Sequence, residues 1–268
     1  ADHIIVLHRQ GIQLHGLYNQ KLGPMQRIDL IGAYHIARNP PYQHRGLLQP
    51  FLGRVLENLT ILDFGCGKSY LTFLLYYYFT VKRGMDVNII GYDLKADVVE
   101  RCNQIAAKYG YDRLRFVVAD VTKDPLYDAE IDMVVTLHAC DTATDHALYY
   151  AIQKKADFIF SVPCCQHEIN SQIQKGGELD LLLKHGIVKE RVCALLTDSI
   201  RAAALEDMGY RTDMIEFIDF EHSPKNIMLR ARRVRPPREK ELPSCRALSK
   251  TYGFRQTLLT LLDSSLKT

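Results

Sequence analysis

Residues 62–72, Leu-Asp-Phe-Gly-Cys-Gly-Lys-Ser-Tyr-Leu-Thr, constrain the fold of this chain more than any other stretch. Before the glycines, residues 59–64 form a short apolar run broken only by Thr60 and Asp63, as expected of a strand buried in a parallel sheet. After them, Leu71, Leu74, Leu75 and Tyr78 recur at helical spacing. Gly65 and Gly67 stand between, where they let the backbone turn sharply and bring its N–H groups against a ligand. A Gly-x-Gly alone is a weak signal. It gains weight here because residues 86–92 read as a second strand ending at Asp93, and a carboxylate there can accept both hydroxyls of a ribose. A tight strand-to-helix turn with no ligand is the plainer alternative. The phosphate-binding patterns are incomplete: Tyr70 stands where the dinucleotide fingerprint has its third glycine, and Leu62 where a P-loop has its first.

From residue 59 onward strands and helices alternate. Strands over 59–64, 87–92, 114–119, 131–137 and 157–162 are interleaved with helices over 68–82, 96–109 and 143–155. Such repetition predicts an α/β fold, a mainly parallel sheet with helices on both faces and ligands at the carboxyl ends of its strands. Asp63, Asp93, Asp120, His138 and Pro163 all fall at or just after those ends. A helix over 188–208 precedes two further strands, 211–220 and 226–234, joined by a short turn as in an antiparallel hairpin. Residues 1–58 read as an N-terminal helical extension with helical stretches over 25–37 and 47–59. His35, His44 and Arg45 there either face a substrate or, more ordinarily, lie on a solvated surface. The expected division is thus 1–58, a main domain over 59–235, and 236–268 as a basic linker and helical tail with an amphipathic helix over 252–262.

Composition narrows the class. An apolar share of 47% over 268 residues supports a sizeable core. No stretch approaches the ~20 consecutive apolar residues of a membrane span. The opening residues show no basic segment followed by an apolar core, so no secretory signal is expected. Seven scattered cysteines in an α/β pattern fit reduced thiols, and hence a cytoplasmic setting, better than a disulfide framework. The oligomeric state is not legible.

The residues Asp63-Phe64-Gly65-Cys66-Gly67 resemble motif I of the class I S-adenosylmethionine (SAM) methyltransferases. With LDFGCGKSYLT, the stretches LHACDTATD (137–145), SVPCCQHE (161–168), TDSIRA (197–202) and EFIDFEHSPKN (216–226) look like the branch called methyltransferase domain 32, over residues 59–233. At 137–145 and 161–168 that branch is similar to tRNA ribose 2′-O-methyltransferases acting on the acceptor stem. The resemblance implies a Rossmann-like, mostly parallel seven-stranded sheet ending in an antiparallel hairpin, and SAM as cofactor. It implies that Gly65 and Gly67 hold the methionine part of SAM and Asp93, beside Leu94, the ribose. Asp120 would accept from the adenine amine while Val121 packs on the ring, with Asp63 and His138 in the same site. Asp120 has a second reading as a helix N-cap.

Methyl transfer from a sulfonium needs an in-line nucleophile and often a general base. His138, Asp141 and His167 are the candidates to accept a proton from a hydroxyl. For His138 the alternative is a core histidine, and for Asp141 a cap on helix 143–155. Cys164 and Cys165 read as packing residues rather than nucleophiles. His138, Cys140, Cys164, Cys165 and His167 are of the type zinc prefers, yet no C-x₂-C pair is present and adjacent cysteines rarely share an ion, so no metal is expected. The resemblance at 137–145 and 161–168 implies an RNA acceptor, most plausibly tRNA, at a ribose hydroxyl or a base nitrogen; independently, Arg230, Arg232, Arg233, Arg235, Arg238 and Lys240 form a cationic run suited to phosphates, which Lys68, Lys95 and Arg45 could extend. A protein or small-molecule acceptor, or a catalytically silent SAM-binding scaffold, is the alternative.

Overall fold

The structure, a computed structural model, describes residues 59–123, 127–137, 139–216, 225–237 and 243–265. The candidate His138, the segment 1–58 with His35, His44 and Arg45, and the cations Arg238 and Lys240 lie outside these residues. Seven strands form one sheet: β1 (Leu59–Phe64), β2 (Val87–Asp93), β3 (Leu114–Val118), β4 (Met133–Thr136), β5 (Phe158–Ser161), β6 (Tyr210–Glu216) and β7 (Ile227–Arg233). Their order is β3-β2-β1-β4-β5-β7-β6. The first five are parallel, and β7 enters antiparallel to β5 and pairs with β6. This is the mainly parallel α/β sheet that the alternation predicted, with the seven strands and terminal hairpin that the resemblance implied. The strand order reverses between β1 and β4, which places a crevice at their carboxyl ends.

All six residues of β1 are buried, because the strand is central and covered on both faces. Alternate residues feed two cores. Leu59 and Ile61 pack with α1 (Tyr70–Tyr77) and α2 (Ala96–Lys108) on one face. Leu62 and Phe64 pack on the other with α3 (Thr142–Gln153), together with residues of a helix of 22 residues over Gly186–Asp207. Two short helices unforeseen in the sequence, α4 (Glu168–Gln172) and α5 (Asp180–Leu183), precede that long helix, α6.

Two boundaries differ from expectation for local reasons. The helix expected over 68–82 starts only at Tyr70, because Gly67 (φ 52) and Ser69 (φ 60) both take the left-handed conformation. It passes into a wider π-helical turn over Tyr78–Lys82. At the C-terminal end, the single helix expected over 252–262 is two, α7 (Pro243–Tyr252) and α8 (Thr257–Ser265). Gly253 separates them at φ 64, where a Cβ would come within 2.7 Å of the Gln174 side chain. Both helices join the core, through Cys245 and Tyr252 of α7 and Leu258, Leu259 and Leu262 of α8.

The described part of the cationic run lies away from the crevice. Arg232 pairs in register with Phe158, at the amino end of β5, so the chain leaves β7 from the edge of the sheet opposite the crevice. Arg230 is only 8% exposed and donates to Asp213 (2.9 Å), and Arg233 donates to Asp157 (2.7 Å). These two arginines neutralise carboxylates on or beside the sheet, and the described part of the run stands at the edge opposite the crevice.

Candidate functional site

Above β1 and β2 the backbone builds a closed turn. The N–H groups of Gly65 and Cys66 both donate to the Tyr92 carbonyl (2.9 and 3.0 Å), and Gly67 N–H donates to Asp93 Oδ2 (2.8 Å). The other oxygen, Oδ1, accepts from Lys95 N–H (3.0 Å). Each carboxylate oxygen keeps a further lone pair, so Asp93 can still receive hydroxyls while holding the loop. Gly91, one strand position below Tyr92, has no room for a side chain: a Cβ would lie 2.5 Å from the Phe116 ring and 3.0 Å from Cys66 Sγ. A Cβ on Gly67 would meet nothing within 4 Å, so the turn has open space on its outer side.

Leu94 is 68% exposed beside Asp93, an apolar surface left at a strand end. At the end of β3, Asp120 Oδ1 accepts from the N–H and hydroxyl of Thr122 (2.9 and 2.6 Å), and Oδ2 lies 3.3 Å from Lys123 Nζ. These hydrogen bonds lower its pKa to about 2. Asp120 therefore heads a turn; no helix follows it among the described residues, which corrects the N-cap alternative. Val121 is half-buried against the core. Asp63 is placed differently from the rest: only 2% exposed, it accepts from Thr72 Oγ1 (2.6 Å) and pins α1 to β1 beneath the loop. Cys66 packs under the same turn, its thiol pushed up by burial and by Asp63.

Above β4 and β5 the site is made of side chains. Asp141 adopts φ 52 and ψ −122, a conformation costly for a residue with a Cβ. Its N–H donates to the Cys165 carbonyl (3.2 Å), and its own carbonyl accepts from Arg201 Nη2 (2.8 Å). Its Oδ1 accepts from the N–H groups of His167 (2.9 Å) and Glu168 (3.2 Å). The carboxylate thus caps α4 rather than the expected helix 143–155, where it makes no side-chain cap. Among the described residues Oδ2 takes no hydrogen bond. His167 is exposed at the start of α4, and Cys140, Cys164 and Cys165 line the same edge. Burial pushes the thiols of Cys164 and Cys165 up.

Behind these loops lies a buried ionic network that spacing did not reveal. Arg201 is 0% exposed and grips Asp145 with two hydrogen bonds (2.9 and 2.7 Å) while Nη1 donates to Asp198 (3.0 Å). Gln166 donates to Asp198 (2.8 Å) and accepts from Lys225 (3.0 Å), which also pairs with Glu190 (2.7 Å). Gln256, just before α8, donates to Asp145, and Glu168 accepts from Thr257 N–H (3.0 Å). Its signals in the sequence were the stretches 137–145, 161–168, 197–202 and 216–226, and those carried a resemblance rather than a pairing.

The residues at β1–β3 fit SAM: a glycine turn open on its outer side, a carboxylate at the end of β2 with spare lone pairs, an exposed leucine beside it, and a second carboxylate at the end of β3. A family model described as a methyltransferase domain matches residues 47–172. No curated protein matches the chain. Among solved structures, the magnesium protoporphyrin IX methyltransferase of Synechocystis PCC 6803 is 14% identical, over 82% of this chain and 92% of that one, with a TM-score of 0.47. The CMeT domain of a citrinin polyketide synthase is 14% identical over 71% of this chain, with a TM-score of 0.45, and this chain spans about half (51%) of its length. A tRNA (uracil-54, C5)-methyltransferase of Pyrococcus abyssi is 16% identical over 70% of this chain and 37% of that one, with a TM-score of 0.37. The family match runs from before β1 through β5 and α4, so this stretch of the chain is what resembles a methyltransferase domain. No helix among the described residues is long and apolar enough to cross a membrane.

Proposed function

We propose that the protein transfers a methyl group from SAM to an acceptor seated over the β4 and β5 ends, and that the acceptor is a small molecule or a protein side chain. One observation carries this reading: Asp93 and the glycine turn stand at the same sheet edge as Asp141 and His167, on either side of the β1–β4 reversal. When bound, SAM supplies an electrophilic methyl carbon on a sulfonium. The chain's own residues do the rest. Gly65 and Gly67 receive the methionine end, Asp93 and Leu94 the ribose, and Asp120 and Val121 the adenine. Asp63 supports the loop from beneath. Asp141 Oδ2 takes the proton released by the acceptor, and the His167 imidazole, exposed two residues beyond Cys165, orients the acceptor or takes the proton in its place.

RNA is the second reading, supported by the motifs at 137–145 and 161–168. It is weakened because Arg230 and Arg233 pair with acids and the run leaves from the opposite edge. The test is incubation with labelled SAM and separated RNA, protein and metabolite pools from a cell extract. Label in protein or metabolites is expected. Label in RNA alone would reverse the choice of acceptor. Absence of SAM binding by calorimetry would remove the whole reading.

A further inference from the structure

The fold brings three thiols together that the sequence keeps apart. Cys140 follows β4, and Cys164 and Cys165 follow β5, which lies beside β4 in the sheet. Their Sγ atoms all lie within 4.8 Å of one another, with Cys140 and Cys164 at 3.1 Å. All three are free thiols, and Cys140 is exposed. A disulfide needs about 2.05 Å between sulfurs, so this is a cluster and not a bond. Sulfurs on one tetrahedral zinc, at about 2.3 Å from it, stand about 3.8 Å from each other, inside the range this cluster spans.

We propose that Cys140, Cys164 and Cys165 form a binding site for one thiophilic divalent ion of the zinc class. The inference goes beyond methyl transfer and does not depend on it. Spacing along the chain weighs only cysteines close in sequence. Here Cys140 arrives from another strand, and the adjacent pair already presents both sulfurs to it. The two loops are held in place for this: Asp141 N–H donates to the Cys165 carbonyl (3.2 Å), Asp141 Oδ1 fixes the start of α4, and Arg201 holds the Asp141 carbonyl (2.8 Å). Ligands whose own backbone is fixed by further hydrogen bonds need little reorganisation to meet an ion. Binding forms three metal–sulfur bonds and releases the three thiol protons to solvent. Three protein ligands leave the fourth tetrahedral position open, the arrangement of ions that act on a bound water or acceptor atom rather than of closed structural sites.

The full chain, purified without chelator in the presence of a thiol reductant, is the material for the test. Elemental analysis should find about one zinc per chain, and Co²⁺ added to the metal-free protein should give an intense sulfur-to-metal charge-transfer band. Cys140→Ser and Cys165→Ser should each weaken Co²⁺ binding at least tenfold, while thermal unfolding shows both variants folded. A protein that gives no such band with stoichiometric Co²⁺ overturns the proposal. So does a band unchanged in Cys140→Ser, or a Cys140–Cys164 disulfide formed in air at the same rate with and without Zn²⁺. If either serine variant fails to fold, Cys164→Ala in its place must abolish the band, and a retained band counts against the site.

Discussion

The two halves of the crevice are held by different means. Over β1–β3 the shape comes from backbone: left-handed turns at Gly65, Gly67 and Ser69, and N–H groups closing on Tyr92 and Asp93. Over β4–β5 it comes from side chains relayed through the core, with Arg201 joining Asp141, Asp145 and Asp198 across two helices and a loop. A backbone-built half leaves a motif in the sequence, because glycines and a terminal acid must recur at fixed offsets. A relay leaves only polar letters on helix faces, where they look like surface.

The sharpest way to break this comparison is Arg201→Met. Removing the cation leaves two carboxylates buried without their partner, and breaking a buried ion pair costs about 3–5 kcal/mol. Urea unfolding should show that loss, and a change under about 1 kcal/mol would mean that the relay does not hold the β4–β5 half. Next in size is Asp93→Ala. Losing hydrogen bonds to a charged acceptor should weaken SAM binding by about 1.5–3 kcal/mol, read by calorimetry. Asp141→Ala should leave SAM affinity nearly unchanged and lower turnover; equal loss of affinity in both variants would erase the distinction between the halves. Gly91→Ala tests the backbone half by packing alone. With the new Cβ 2.5 Å from the Phe116 ring, the cost should be about 1–3 kcal/mol of stability, measured in urea.

The smallest expected effect is in pH. Burial pushes the Asp198 carboxyl up from its ordinary 3.8 to about 6, against the opposing pull of Arg201. The folded chain therefore holds this proton more tightly than the unfolded one. Its contribution to stability is complete below 3.8 and is lost as pH rises towards about 6. Asp198→Asn should flatten that part of the stability profile. An unchanged slope would show that Arg201 keeps the group ionised throughout.

Legibility follows the same division. β1 and β2 were readable as apolar runs because central parallel strands bury both faces, and Asp93 and Asp120 were readable because strand ends in such sheets meet the crevice. The late start of α1 was not, since nothing about a serine announces the left-handed backbone of Ser69. Asp145 and Arg201 were not read as partners, because 56 residues separate them and no spacing rule connects two helix faces. The cationic run was legible only as composition. Its position depended on topology: β7 runs antiparallel and takes the described arginines away from the crevice, with Arg230 and Arg233 paired to acids on or beside the sheet. The cysteines were legible as ligand types, but their meeting depended on β4 and β5 being neighbours.

The hydrogen bond from Gln256 to Asp145 crosses 111 residues, and Thr257 reaches back to Glu168 across 89. This sets an order of assembly. During synthesis the glycine turn, Asp93 and Asp120 can close on one another while the ribosome is still making the second half of the sheet. The β4–β5 half must wait for residues 256 and 257 to emerge before Asp145 and Glu168 have all their partners. A nascent chain would thus complete its glycine turn before Asp145 and Glu168 meet their last partners.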